Sequence, residues 1–286
     1  MITCVCIFFI LITPAFLLKV KFNKDLSDTL LYSAVAGILI LFFFGIMGIL
    51  RYGFLAWIFM SVISGPWIII DLSRKSGSKI GTMKVISTQL RGIVLSYDFL
   101  AFSFLYIIFF VTLIGMRIHI GDEYSHWGSC VIYMSLFDEF GATQQAGLLY
   151  GNYVPGMSLF QYFFVKVDQI LHNNLIVNDW LMYYAYNVLV LIFTIPLIKS
   201  LKLNGGALRQ AITLIFSVGI PLILFNGDRY NRYYLLQVDG ALGTLFGCGL
   251  AYIFIKKENY WYILCNAIML SSVCSTSGST RHNAIC

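Results

Sequence analysis

Apolar runs of about 20 residues recur along this chain, and basic residues collect between them. That pattern leaves few folds open. A run such as AVAGILILFFFGIMGIL at 34–50 has no alternation of apolar and polar residues, so it is not a strand of a membrane barrel. A hydrocarbon core of about 30 Å is crossed by roughly 20 helical residues, and a helix satisfies every backbone polar group within its own segment. Composition agrees. The chain is 59% hydrophobic and 11% charged, where a soluble domain carries about a quarter charged residues. The fold class expected is all-α, a multi-pass helical bundle in a membrane. No internal repeat or linker divides residues 1–286, which read as one membrane domain.

Eight spans are expected, at 1–18, 29–50, 54–71, 93–116, 178–198, 208–225, 238–255 and 260–274, the last being the shortest. Lys and Arg set their direction, because cytoplasmic loops carry the positive excess. The 72–92 loop holds Arg74, Lys75, Lys79, Lys84 and Arg91 with no acid, and the 199–209 loop holds Lys199, Lys202 and Arg209 with no acid. Lys19, Lys21 and Lys24 follow the first span, and Lys256 and Lys257 the seventh. Eight spans with both termini outside put all four clusters inside, with Arg51 a small violation. Residues 117–177 then lie wholly on the outer side. Within them, YVPGMSLFQYFFVKV at 153–167 is apolar but interrupted by Lys166 and Asp168, so it reads as an amphipathic helix in the outer interface, with Phe160, Tyr162, Phe163 and Phe164 suited to that level.

The formal charge of +6 does not point to nucleic acid, because no basic, aromatic-interleaved soluble domain exists to hold one. The 7 cysteines (Cys4, Cys6, Cys130, Cys248, Cys265, Cys274 and Cys286) show no zinc or disulfide spacing and read as small apolar fillers. The first 18 residues have no basic segment before them and no small-residue cleavage site after them, so they read as a retained helix.

Carboxylates are scarce here, and an ionisable cluster at a membrane is a functional-site hypothesis by default. Of 13 acidic residues, Asp122, Glu123, Asp138, Glu139, Asp168, Asp179, Asp228 and Asp239 fall on the outer side. The densest segment is GDEYSHWG at 121–128. On a regular helix Asp122 and His126 share one face, and Glu123 and Trp127 the next. A carboxylate here suits a general base or an oxygen ligand for a divalent cation such as Mg or Mn, held by Asp122 and Glu123. The plainer reading is a solvated helix cap. Tyr153 opens YVPG, by itself a turn signal. Asp239 ends an apolar span beside Gly240 and Gly243, and reads equally as a site residue or as a polar side chain reaching the interface. Arg229 and Arg232 in NGDRYNRYY suit a phosphate, or a solvated turn. His119 and His172 read as interfacial residues, and Asp98 as a residue that snorkels or pairs with a neighbour near the cytoplasmic end of its span.

DEYSHWG at 122–128, YVPGMSLFQYFF at 153–164 and VDGALG at 238–243 together resemble the GT-C class of integral-membrane glycosyltransferases, in particular its bacterial branch with DE(F/Y)SHW, YPPG…LFQYF and VD-x-LLG elements. The resemblance covers roughly 93–255. Val154 stands where that branch has a first proline, three spans (1–71) precede the core, and the tail SSVCSTSGSTRHNAIC (271–286) is unlike a membrane-protein terminus and reads as truncated or frame-shifted.

The resemblance implies transfer of a sugar from a polyprenyl-phosphate donor to a glycan or lipid acceptor on the outer face of a bacterial cytoplasmic membrane. Asp122, or in second place Glu123, would deprotonate the acceptor. His126, Trp127 and Tyr153 would line the site, Arg229 or Arg232 would hold the departing phosphate, and Asp239 would order the acceptor or assist a metal. Two other classes stay open: a transporter or polymerase/flippase accessory protein of polysaccharide export, and an inactive truncated scaffold. A transporter would place charges near the midplane and show repeated halves.

Overall fold

The computed structural model describes residues 1–76, 87–88, 90–118, 121, 123–141, 156–200, 236, 238–255 and 264. Among them there is no strand. Three of the described helices are long and apolar enough to cross a membrane: α1 (Ile2–Phe22), α2 (Leu26–Ile46) and α3 (Leu50–Ser76). Further along come α4 (Tyr97–Leu113), a single π-helical turn (Glu123–Trp127), α5 (Gly128–Phe137), α6 (Gly156–His172), α7 (Trp180–Ser200) and α8 (Val238–Ile255). The expected spans at 208–225 and 260–274 lie outside the described residues.

Local chemistry sets the helix ends. α1 stops at Asn23, whose left-handed φ of 50° ends the helix, with Lys19 and Lys21 in the last turn where the dipole favours cations. α2 stops at Ile46, short of the expected boundary at 50, because Gly48 turns the chain with φ 70°. α4 starts later than the expected 93. The Ser96 side chain accepts from Phe99 N–H and opens a new helix there. Asp98, in its first turn, is buried and accepts from the Ser27 N–H at 3.3 Å, so it pairs across helices as the sequence suggested. Pro14, Pro66 and Pro196 sit inside α1, α3 and α7, a placement that membrane helices tolerate.

The core forms around α6. Met157, Leu159, Phe160, Tyr162, Phe163, Phe164, Val165 and Val167 are all buried, against residues of α1, α2, α5 and α7. The Phe163 ring stacks on Trp57 of α3 at 4.2 Å between centroids. Trp57 lies over Gly37 of α2, where any Cβ would fall within the indole ring. This corrects the expected surroundings of α6: its aromatics are packed inside protein and do not present an apolar face to an interface. Buried tyrosines in the core find partners, Tyr106 donating to the Cys4 carbonyl (2.7 Å) and Tyr184 to that of Tyr106 (3.1 Å).

Contacts sort the helix ends. Thr3 at the start of α1 bonds Asp168 of α6. Gly45 at the end of α2 meets the Phe140 ring, and Phe54 near the start of α3 meets Tyr162. Ile118, just beyond α4, donates its N–H to Asp179 just before α7. Leu236, just before α8, reaches Glu123. The start of α1, end of α2, start of α3, end of α4, start of α7 and start of α8 thus share one end of the bundle with the described residues Glu123, Phe140 and Asp168. The Ser27–Asp98 bond joins the starts of α2 and α4 at the other.

Candidate functional site

The DEYSHWG segment enters this end of the bundle as the π-helical turn. A π turn holds more residues than an α turn and is frequent at functional sites. It changes which side chains turn inward. Glu123 and His126 are both buried, whereas Tyr124 is 60% exposed. The expected pairing of Glu123 with Trp127 on one helical face does not hold, because the wider turn breaks the i, i+4 register. Tyr124 donates its hydroxyl to the Ile118 carbonyl at 2.6 Å, closing the loop that leads into the turn. Gly128 ends the segment where a Cβ would collide with the Ile118 side chain and the Glu123 carbonyl.

Glu123 is fully enclosed, at 0% exposure. One oxygen, Oε2, accepts from the Tyr183 hydroxyl of α7 at 2.6 Å, and the other, Oε1, accepts from the Leu236 backbone N–H at 2.7 Å. One carboxylate therefore joins three elements far apart in sequence. His126 packs edge-on to Trp127, with ring centroids 4.5 Å apart, and burial pushes its imidazole below the ordinary value, favouring the neutral ring. Trp127 is half-buried against the core.

Other acids of 117–177 are also engaged. Asp138 ends α5 with a left-handed φ of 55°. Its carboxylate meets Lys166 of α6 at 2.7 Å and accepts from the Tyr162 hydroxyl at 2.8 Å. Lys166 also donates to the Ser135 carbonyl at 3.0 Å. Asp168 is buried and accepts from Thr3 Oγ1 (2.5 Å) and Asn178 Nδ2 (2.6 Å), with His172 Nδ1 3.1 Å away. Lys166 and Asp168, read from sequence as interruptions of an apolar helix, are the points where α6 fastens to its neighbours. Cys130 is a buried filler whose thiol burial pushes up to about 11.

Asp122, Tyr153, Arg229 and Arg232 lie outside the described residues. Asp239 lies in the first turn of α8, three residues beyond Leu236. The structure thus brings Glu123, His126 and the start of the Asp239 helix together at one end of the bundle. Sequence reasoning missed Tyr183. Its signal was present in WLMYYAYN at 180–187, a run of tyrosines at the start of an apolar segment, each with a hydroxyl that needs a partner when buried.

Among the described residues no group of three or more His, Cys, Asp and Glu could hold a metal ion. Glu123 is enclosed and each of its oxygens accepts a hydrogen bond, while Asp122, the other residue expected to hold Mg or Mn, lies outside the described residues.

Compared with known proteins, the chain shows no significant match to any protein-family model, curated protein or solved structure.

Proposed function

We propose that this protein is an integral-membrane glycosyltransferase that moves a sugar from a polyprenyl-phosphate donor to a glycan or lipid acceptor at the outer face of a bacterial cytoplasmic membrane. The observation that carries the reading is the Glu123–Leu236 bond. It brings the DEYSHWG and VDGALG segments together, although 113 positions separate the bonded residues. A lipid-linked donor stays in the bilayer while its head group meets the acceptor at the interface, so the reacting groups belong at one end of a helical bundle. Glu123, Asp168 and the start of α8 share one end of the bundle, which supports the reading.

In this reading Asp122 is the base. Glu123 is sealed from any acceptor hydroxyl, which leaves the neighbouring carboxylate for proton transfer. The acceptor oxygen attacks the anomeric carbon and its proton passes to Asp122. The bond from that carbon to the phosphate oxygen breaks, and polyprenyl phosphate leaves with the electron pair. The transition state has oxocarbenium character, as in other glycosyl transfers. Arg229 or Arg232 would hold the departing phosphate, and Asp239 would orient the acceptor, with His126, Trp127 and Tyr153 lining the site.

The test is transfer of labelled sugar from a panel of polyprenyl-phosphate sugars by the purified protein in lipid nanodiscs. Asp122→Asn keeps size and hydrogen-bonding capacity but removes basicity, and turnover should fall about 10²–10⁴-fold, the usual worth of general acid–base catalysis. Movement of the lipid-linked sugar between leaflets without transfer would replace the enzyme with a transporter. Near-normal turnover in Asp122→Asn would remove Asp122 as the base.

A further inference from the structure

We propose that Glu123 is a positioning residue, a clasp that holds the start of α8 and the face of α7 against the π turn and so fixes Asp122 relative to Asp239. The assignment rests on the transferase reading for what is positioned, and on geometry alone for the clasp.

The Leu236 N–H is buried with its residue at 0% exposure, and a buried backbone donor requires a partner. The Glu123 carboxylate supplies the acceptor at 2.7 Å. Tyr183, also at 0% exposure, fills the other oxygen at 2.6 Å. With Tyr183 on one oxygen and Leu236 on the other, two elements orient the carboxylate at once. Its own backbone is set by the Tyr124–Ile118 bond and by the close approach at Gly128. Asp122 is the residue directly before Glu123, and Asp239 follows Leu236 by three. Through these sequence neighbours the clasp bears on the two acids of the transferase reading.

The requirement is for a planar group with one atom that accepts from the Leu236 N–H and a second that pairs with the Tyr183 hydroxyl. A glutamine can keep the Leu236 bond through its oxygen and turn its amide toward a Tyr183 hydroxyl that rotates to accept. An alanine loses both bonds, and Tyr183→Phe loses one.

The experiment is hydrogen–deuterium exchange in nanodiscs on a peptide containing Leu236, beside steady-state turnover, for wild type, Glu123→Gln, Glu123→Ala and Tyr183→Phe. In Glu123→Ala, exchange at Leu236 should quicken roughly 10- to 150-fold, the span expected for loss of a hydrogen bond to a charged acceptor. Tyr183→Phe should quicken it less. Turnover should fall through kcat with KM little changed, as for loss of an arrangement needed only in the transition state, and Glu123→Gln should retain both protection and most of the turnover. Wild-type exchange at Leu236 in Glu123→Ala overturns the clasp. Full protection in Glu123→Gln with turnover lost as deeply as in Asp122→Asn overturns the positioning role and makes the Glu123 charge part of the chemistry. If wild type transfers no sugar, the transferase reading fails, and the exchange data decide the clasp independently.

Discussion

Replacing Asp168 should loosen the first helix from the bundle by an amount that its contacts set. Asp168 is 3% exposed, and it accepts from Thr3 at 2.5 Å and Asn178 at 2.6 Å, with His172 Nδ1 3.1 Å away. In soluble proteins a hydrogen bond to a charged group contributes about 1.5–3 kcal/mol. Side-chain bonds between membrane helices average about 0.6 kcal/mol, with a maximum near 1.7. The lower scale governs the Thr3–Asp168 pair, because helices separated within a bilayer still find other partners for both groups. Asp168 lies at a helix end, where unfolding also offers it water. Thr3→Val, which keeps shape, should cost about 1 kcal/mol. Asp168→Ala should cost about 2–3 kcal/mol, because several donors lose one acceptor together. The double variant should fall short of the sum by about 1 kcal/mol, the signature of a direct contact. Equilibrium unfolding by SDS in mixed micelles measures all four corners of this cycle. Additivity within about 0.3 kcal/mol would show that the two residues do not interact and would detach α1 from α6 at this point.

Three further outcomes test other parts of the structure. Gly37→Ala would push a methyl into the Trp57 ring; destabilisation of about 1–3 kcal/mol is expected, partly relieved by Trp57→Leu, and no effect would place the indole elsewhere. Burial holds the His126 imidazole below its usual value, so the folded protein binds fewer protons there than the unfolded chain. Its contribution is complete above the unfolded value of about 6.5 and is lost as pH falls below that toward the lower folded value. His126→Gln should flatten the acid limb of a stability–pH curve, and an unchanged limb would mean that His126 is not a buried neutral ring. For topology, single cysteines at the exposed Phe137 and Asn174 in a cysteine-free background should react with an impermeant thiol reagent in intact cells, while one at Lys24 should not. Labelling at Lys24 with protection at Asn174 would invert the proposed orientation.

Much of the helical frame was legible from hydropathy, because a span of about 20 apolar residues has no other way to satisfy its backbone in lipid. α1, α7 and α8 begin within two residues of their expected boundaries, and the Asp98 pairing was anticipated. Boundaries governed by single residues were less so: Gly48 and Ser96 end or restart helices inside runs whose hydropathy is continuous.

The candidate site divides in the same way. Composition and motif order singled out 121–128 and Asp239, because carboxylates are rare in an apolar chain and stand out one by one. That Glu123 is sealed was a tertiary decision. A regular helix would pair Glu123 with Trp127, but the π turn rotates Glu123 inward to a tyrosine of α7 and a backbone amide just before α8. The same holds for α6. Its aromatic and charged residues can be read as an interfacial helix, and they become a buried core fastened by Lys166–Asp138 and Asp168–Thr3 only once the surrounding helices enclose it. Periodicity records which faces of a segment are apolar. It does not record whether lipid or protein covers them, nor which distant donor meets a buried acceptor, because those depend on contacts between residues a hundred or more positions apart.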